Sequence, residues 1–293
     1  MTLFELATDF DENYIARRLK LTTADGYRRN MRKHILPYLG SIDIEVIGYS
    51  DIDSLVTILQ AQGLSNTSVV YVLATFRKMY SYAFKRGYCG SNPLILYDFP
   101  RRDRYNYRVL TEDQAKQLLE GTSCRTDYIA YMLAVRYGLR RGEILGLKDE
   151  DVNAGRVYVM RTRAIVDGGE VVSTPKNGRF RVIKLTEGDF EIIRAYQYAR
   201  HMNKDGFLLR TEQGRALSPA ILDKHFRVQL RRLGLPAIRF HDLRHTYATI
   251  MMSHGVNAKI VSSVLGHSDV SITLDLYSHY AVDMQDACLA VLS

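Results

Sequence analysis

The chain has 293 residues, 46% of them hydrophobic, which is enough apolar material for a core in each of two ordinary domains. No apolar run reaches the length of a membrane span, and the N-terminal "MTLFELATDFDEN" is acidic where a secretory signal is basic, so a soluble cytoplasmic protein is expected. The formal net charge of +8 points to a polyanionic partner, most simply nucleic acid, while Cys89, Cys124 and Cys288 are odd in number, lack metal-ligand spacing and read as reduced core thiols.

Residues 1–97 read as helical throughout. "LFELATDFDENYIARRL" has apolar residues at helical spacing. "TTADGYRRNMRKHILPYLG" opens on a cap at Thr22 or Thr23 and stops at Pro37 and Gly40. "SDIDSLVTILQAQG" carries a Ser50 or Asp51 cap, and a long helix follows into Gly87 and Pro93. Basic clusters ride on these frames: Arg28, Arg29, Arg32 and Lys33 on one, Arg77, Lys78, Lys85 and Arg86 on another. Each cluster alone reads as a solvated face. The segment from Arg101 to Arg108 then holds four arginines, Arg101, Arg102 and Arg104 among them, with two tyrosines and one acid. Such a segment suits a strap along a phosphate backbone, and residues 98–108 are placed as an interdomain linker.

Residues 109–293 form the second domain. Thr111 with Gln114 resembles a capping box. An apolar helix follows, then a break at Gly138 and a short helix over "RGEILGL". Between 156 and 185, "RVYVMRTRAIV", "GEVVST" and "FRVIKL" alternate and are parted by "DGG" and "KNG", which predicts a three-stranded antiparallel sheet. The remainder is mostly helical. The class is therefore mainly α with a small antiparallel β-sheet: a helical domain followed by a mixed α+β domain.

The segment "RFHDLRHTYATIM" raises the chemical question. His241 and His245, four apart, suit a metal on a helix face, but Asp242 stands where a zinc protease has glutamate. Arg244 also sets a permanent cation beside any dication. His241 and Arg244, three apart, suit a phosphate, and Asp242 suits a simple helix start. Elsewhere Arg140 follows the Gly138 break, with Glu143 three residues on to hold its guanidinium. Lys176 sits beside an Asn-Gly turn, His267 follows Gly266, and Tyr277 lies in "LDLYSHY".

In order and local wording, Arg140, Lys176, His241, Arg244, His267 and Tyr277 resemble the active-site set of the tyrosine recombinases, the phage integrase family. "GLRRGEILGL", "HDLRHTYAT", "LGHSDVSIT" and "LDLYSHY" match its motifs, and the resemblance covers the whole chain. It implies a SAM-like core DNA-binding domain, a linker and a catalytic domain with a C-terminal tail helix. It implies a metal-independent, cofactor-free, site-specific recombinase that cleaves and rejoins DNA through a 3′-phosphotyrosyl link, as in integration and excision by a mobile element or in Xer-like resolution. Tyr277 is then the nucleophile, Arg140 and Arg244 the phosphate clamp, His267 a further phosphate donor, Lys176 the acid for the leaving oxygen and His241 an orienting acid–base group. Glu143 anchors Arg140. The implied partners are double-stranded DNA, a second protomer on each site, a tetramer in synapsis and accessory DNA-bending factors, with no membrane. An apolar stripe of Ala281, Met284, Ala287, Cys288 and Val291 either packs on its own core or docks on the neighbouring protomer. A nicking-closing topoisomerase of type IB shares the chemistry. A DNA-binding protein without catalysis shares the charge but leaves the six polar residues unexplained.

Overall fold

The computed structural model describes residues 1–103, 107–166, 169–174, 180–199, 206–266, 270 and 274. The chain divides into two compact units, the first formed mainly by Met1–Tyr105, the second by Asn106–Ile165 with Gly169–Ser293.

The first unit is helical among its described residues. Helix α1 (Leu3–Phe10) is capped by Thr2, whose hydroxyl accepts from the Glu5 N–H while Glu5 accepts from the Thr2 N–H. It continues through a π turn (Asp11–Ile15) into α2 (Ala16–Arg18). Helix α3 (Leu21–Asn30) starts from Lys20 rather than from a threonine cap. It passes through a second π turn (Met31–Ile35) into α4 (Leu36–Leu39). Pro37 therefore does not stop the helix. A proline lacks an N–H and crowds the carbonyl four residues back, and the widened π turn immediately before it is a known way to absorb both defects. Helix α5 (Tyr49–Ala61) begins one residue before the expected caps; Asp51 instead accepts from the Gly48 N–H. Helix α6 (Asn66–Arg86) is capped by Ser65 and ended by Gly87 in the left-handed region. Its Val69, Val72, Leu73, Phe76, Met79, Tyr80 and Ala83 interlock with Leu3, Leu6 and Phe10 of α1 and with Ile52, Leu55 and Leu59 of α5 in one buried cluster. Each large aliphatic side chain removed from water here contributes about 1.5–3 kcal/mol.

In the second unit, Thr111 and Gln114 form the expected reciprocal cap of α7 (Glu112–Glu120). Helix α8 (Arg125–Val135) is buried on almost every side from Thr126 to Val135, as befits a sequence without a polar face. Around it lie α9 (Arg141–Gly146), α10 (Glu187–Ala199), α11 (Pro219–Arg232), α12 (Asp242–Ser253) and α13 (Ala258–Leu265). Tyr131 of α8 meets Phe226 and Phe240 edge-on or tilted at 5.3 and 6.1 Å.

The β region departs from expectation. The three-stranded antiparallel sheet consists of β1 (Val152–Asn153), β2 (Arg156–Val159) and β5 (Arg181–Lys184), while β3 (Thr162–Val166) and β4 (Gly169–Ser173) form a separate pair. "RVYVMRTRAIV" is thus two strands. At the junction Arg161 pairs with Asp151 at 2.6 Å, and within β3 Arg163 is buried against the Leu217 carbonyl and Glu170. In the sheet, Val157 faces Ile183 and Val159 faces Arg181. The Lys-Asn-Gly turn and most of the Asp-Gly-Gly turn lie outside the described residues. Cys89 is buried as expected, but Cys124 is exposed at the N-terminus of α8 and is not a core thiol.

Candidate active site

Two glycine turns build the site. Gly138 takes φ +65°, and a Cβ there would meet Leu265 Cδ2 at 2.5 Å and Tyr247 Cδ1 at 2.7 Å, so both the conformation and the close approach require glycine. The turn delivers Arg140 to the first position before α9. Gly266, at φ +66°, ends α13.

Arg140 is held at three points. Its backbone N–H donates to Glu143 Oε2 at 2.8 Å, its Nη1 to Glu143 Oε1 at 2.8 Å and its Nη2 to the Gly266 carbonyl at 3.0 Å. The side chain remains 24% exposed. Arg244, on the first turn of α12, is 2% exposed. Its Nη1 donates to the Gly138 carbonyl and its Nη2 to the Leu265 carbonyl, both at 2.6 Å. The same two turns therefore orient both arginines. Two of Arg244's five N–H groups are committed to these carbonyls, which fixes the plane of the guanidinium. Burial, and then the Arg140 charge, push the Arg244 pKa down to about 9, so it remains a cation at neutral pH.

The two histidines stand beside this pair. His241 immediately precedes α12 and is exposed at its surface, whereas His245 is buried one turn on. Their rings meet edge to face at 5.0 Å, and Tyr107 packs on His245 at the same distance and 70°. Although part of His241 stays exposed, packing of its ring into the site removes water from it, and this, then the Arg244 charge, pushes its pKa down to about 4; desolvation, then His241, does the same for His245. Both imidazoles are neutral near pH 7, the form that accepts a proton. Asp242 sits between them in sequence and accepts from the backbone and guanidinium of Arg239 at 2.8 Å each, the helix-start role. Among the described residues no group of three His, Cys, Asp or Glu side chains could hold a metal ion.

The structure thus brings Arg140, Glu143, His241 and Arg244 together. Lys176, His267 and Tyr277 lie outside the described residues, as does the C-terminal stripe from Ala281 to Val291. Sequence reasoning missed Arg181. Its Nη1 and Nη2 bridge Glu143 Oε1 and Oε2 at 2.9 and 2.6 Å. The signal was there: Arg181 shares strand parity with the buried Ile183, and an arginine on a buried face needs an acid. Burial alone would raise the Glu143 carboxyl; the hydrogen bonds and charge of Arg181, followed by those of Arg140, overcome it and hold it at about 2.

The basic residues of the first unit are arranged differently. Arg28 pairs with Asp11 at 2.8 Å and Arg29 with Asp25 at 3.8 Å, while Arg32 and Lys33 are exposed. Arg77 lies over Phe99, and Lys78 and Arg18 lie over Tyr14. The start of the expected linker is anchored to this unit: Arg102 covers Tyr71, and Asp103 accepts from the Thr67 N–H at 3.0 Å. Arg101 is exposed, and Arg104 lies outside the described residues.

Residues 108–284 match the phage integrase family, and residues 2–59 match the N-terminal SAM-like domain of phage integrases. The first match alone spans more than half of the chain. The chain belongs to the phage integrase family. Among curated relatives, it is 25% identical to a tyrosine recombinase XerC-like protein of Caldanaerobacter subterraneus subsp. tengcongensis, over 87% of this chain and 72% of the relative. It is 29% identical to the tyrosine recombinase XerC of Stutzerimonas stutzeri, over 94% of this chain and 91% of the relative. Among solved structures, the Tn1549 transposon integrase in complex with a circular intermediate DNA superposes with a TM-score of 0.84 at 23% identity, each chain fully covered. A lambda integrase tetramer bound to a Holliday junction gives 0.76 at 18% identity, over 94% of this chain and 77% of the other. The fold is that of these integrases. Arg140, Glu143, Lys176, His241, Arg244, His267 and Tyr277 all fall inside the family match.

Proposed function

We propose that the protein is a site-specific DNA recombinase that breaks and rejoins DNA through a 3′-phosphotyrosyl intermediate. The observation that carries this reading is the pair of arginines oriented by the carbonyls of two glycine turns, beside a neutral histidine, in a chain of the phage integrase family.

In this reading the scissile phosphate sits between Arg140 and Arg244, which carry the charge on its non-bridging oxygens. Electrostatic stabilisation of this kind works through donors already in place before charge develops. The Tyr277 oxygen attacks phosphorus as its proton passes to His241, and the 5′ oxygen leaves with a proton from Lys176. His267 supplies a further hydrogen bond. The phosphotyrosyl link keeps the energy of the broken bond, so a 5′ hydroxyl from a second duplex reverses the step on a new strand. Neither ATP nor a metal is consumed. Glu143 keeps Arg140 in place, and the basic residues Arg28, Arg29, Arg32, Lys33, Arg77, Lys78, Arg101, Arg102 and Arg104 carry the duplex.

Exchange needs two duplexes and two protein copies on each. The lambda integrase, solved as a dimer on a core site and as a tetramer on a Holliday junction, supports that assembly for this chain. The apolar C-terminal stripe is proposed to dock on the neighbouring protomer, and DNA-bending factors to assist synapsis. The residues up to 97 are proposed as the core-binding domain, 98–108 as the linker and 109–293 as the catalytic domain. A bacterial cytoplasmic, DNA-associated location fits the Xer-type relatives, and no described helix is long and apolar enough to cross a membrane.

The test is a nicked suicide duplex carrying the element's end. The protein is expected to form a covalent adduct on a denaturing gel, in the presence of chelator, and Tyr277→Phe to form none. An adduct from Tyr277→Phe overturns the nucleophile. Relaxation of supercoiled DNA without site preference favours the topoisomerase, and specific binding with no adduct favours a non-catalytic role.

A further inference from the structure

Glu143 presents one buried carboxylate to two guanidiniums. Oε1 accepts from Arg140 Nη1 and Arg181 Nη1; Oε2 accepts from the Arg140 backbone N–H and Arg181 Nη2. Four donors leave the carboxylate with little freedom to rotate. The arginines are not equivalent: Arg140 retains 24% exposure, whereas Arg181, at the start of β5, retains 13% and comes from another part of the fold. Arg181 also borders the second support of Arg140. Its Cδ and Nη1 lie 3.6 and 3.5 Å from where a Cβ on Gly266 would stand, and the Gly266 carbonyl receives the Arg140 Nη2.

The charge count has a direction. One acid between two arginines leaves the trio at +1, and Arg244 lies close enough to Arg140 for its pKa to be depressed by it. With Arg181 removed, Glu143 would neutralise Arg140 one to one and would lose two of its four donors. The exposed guanidinium would then be less fixed, and the cluster around it would carry no net positive charge. Among the described residues, Arg181 Nε is buried without a hydrogen-bond partner, so the side chain is held there for its two Nη groups.

We propose that Arg181 is a positioning residue of the strand-cleavage site, bridging both oxygens of Glu143 from β5 so that Arg140 is held in place within a cluster of net positive charge. The proposal rests on the recombinase reading above. Lysine is a poor replacement, because an ammonium is a point charge and cannot span two carboxylate oxygens as a planar fork does.

The measurement is single-turnover adduct formation on the suicide duplex at saturating protein, with duplex affinity and thermal melting followed in parallel. Arg181→Lys is expected to cut the cleavage rate about tenfold, and Arg181→Ala up to about a hundredfold, the range typical of groups that hold an active ligand from behind. Duplex affinity is expected to change by less than about threefold, because Arg181 does not touch DNA in this scheme. On an Arg140→Lys background, Arg181→Lys is expected to add less than about a twofold loss, since its effect runs through Arg140. Should Arg181→Ala fail to fold, Arg181→Lys carries the test. Wild-type cleavage by Arg181→Lys overturns the proposal, as do losses that multiply on the Arg140→Lys background. If the unsubstituted protein forms no adduct at all, it is the recombinase reading that fails, and the two failures are told apart on the same gel.

Discussion

The basic surface of the first unit and the charged site of the second hold their cations differently. In the first, Arg77, Lys78, Arg18 and Arg102 rest on aromatic rings at the surface, and Arg28 and Arg29 share half-exposed or loose pairs with aspartates. In the second, Arg140, Arg181 and Arg244 are tied by carboxylate or carbonyl oxygens at 2.6–3.0 Å, and Arg163 and Arg210 are buried against Glu170 and Asp149. Cations lying on rings can shift to meet a backbone whose sequence varies. Cations tied to oxygens cannot, and a transition state is stabilised by charges that need no reorganisation. On the proposed function, the contrast suits the first unit to binding and the second to chemistry.

The contrast breaks most visibly at Arg140. Replacing it with alanine is expected to slow adduct formation by roughly a hundredfold or more, in the range seen when one fixed donor to a developing oxyanion is lost. Affinity for intact duplex should fall far less. A loss confined to affinity would mean that this arginine behaves like those of the first unit.

A second effect, on stability, sharpens the same line. Glu143 is held at about 2 against an ordinary 4.5, which corresponds to about 3 kcal/mol at roughly 1.4 kcal/mol per pH unit. The native carboxylate binds its proton more weakly than the unfolded one does. Its contribution is therefore fully present above pH 4.5 and is lost as the pH falls toward 2, with about 2 kcal/mol gone by pH 3. Urea unfolding at pH 6 and pH 3 should show this loss in the wild type and a much smaller one in Glu143→Gln.

How much of this was legible beforehand depended on the kind of signal involved. Helix ends written by local side chains or turns, such as Thr111 with Gln114 and the glycines at 87 and 138, could be read directly because the cap or turn is a local interaction. The start of α3 at Lys20 and its passage through Pro37 could not, because a π turn carries no residue signature of its own. The strand pairing was misjudged for a related reason. Alternation marks β2 and β5 but not which strand each pairs with, and the buried Arg163 continues the parity of Val157 and Val159 into a strand that pairs elsewhere. At the site, the spacing of Arg140 and Glu143 and of His241 and Arg244 fixed two local pairs. The carbonyls that join those pairs, and Arg181 which braces them, come from residues far away in the chain, where no spacing rule reaches.

The smallest effect tests the role proposed for the first unit. Lys78 is exposed, with its ammonium 5.2 Å from the centre of the Tyr14 ring, and no carboxylate partners it among the described ion pairs. If it meets a phosphate when DNA is bound, it releases about one counterion, and Lys78→Ala should reduce the slope of log affinity against log salt by about 1. The loss of affinity should be the same for matched and unrelated duplexes, since a phosphate contact carries no sequence information. Adduct formation at saturating protein should stay within about twofold of wild type, because nothing in the clamp depends on this residue. The Arg29–Asp25 pair supplies the internal comparison. At 3.8 Å, with Arg29 exposed, it is worth at most about 1 kcal/mol to the fold, so Asp25→Asn should barely move the melting temperature yet free Arg29 for the duplex and steepen the salt slope. A Lys78→Ala variant that keeps the slope but slows cleavage would place a first-unit cation in the chemistry and dissolve the division of labour between the two units.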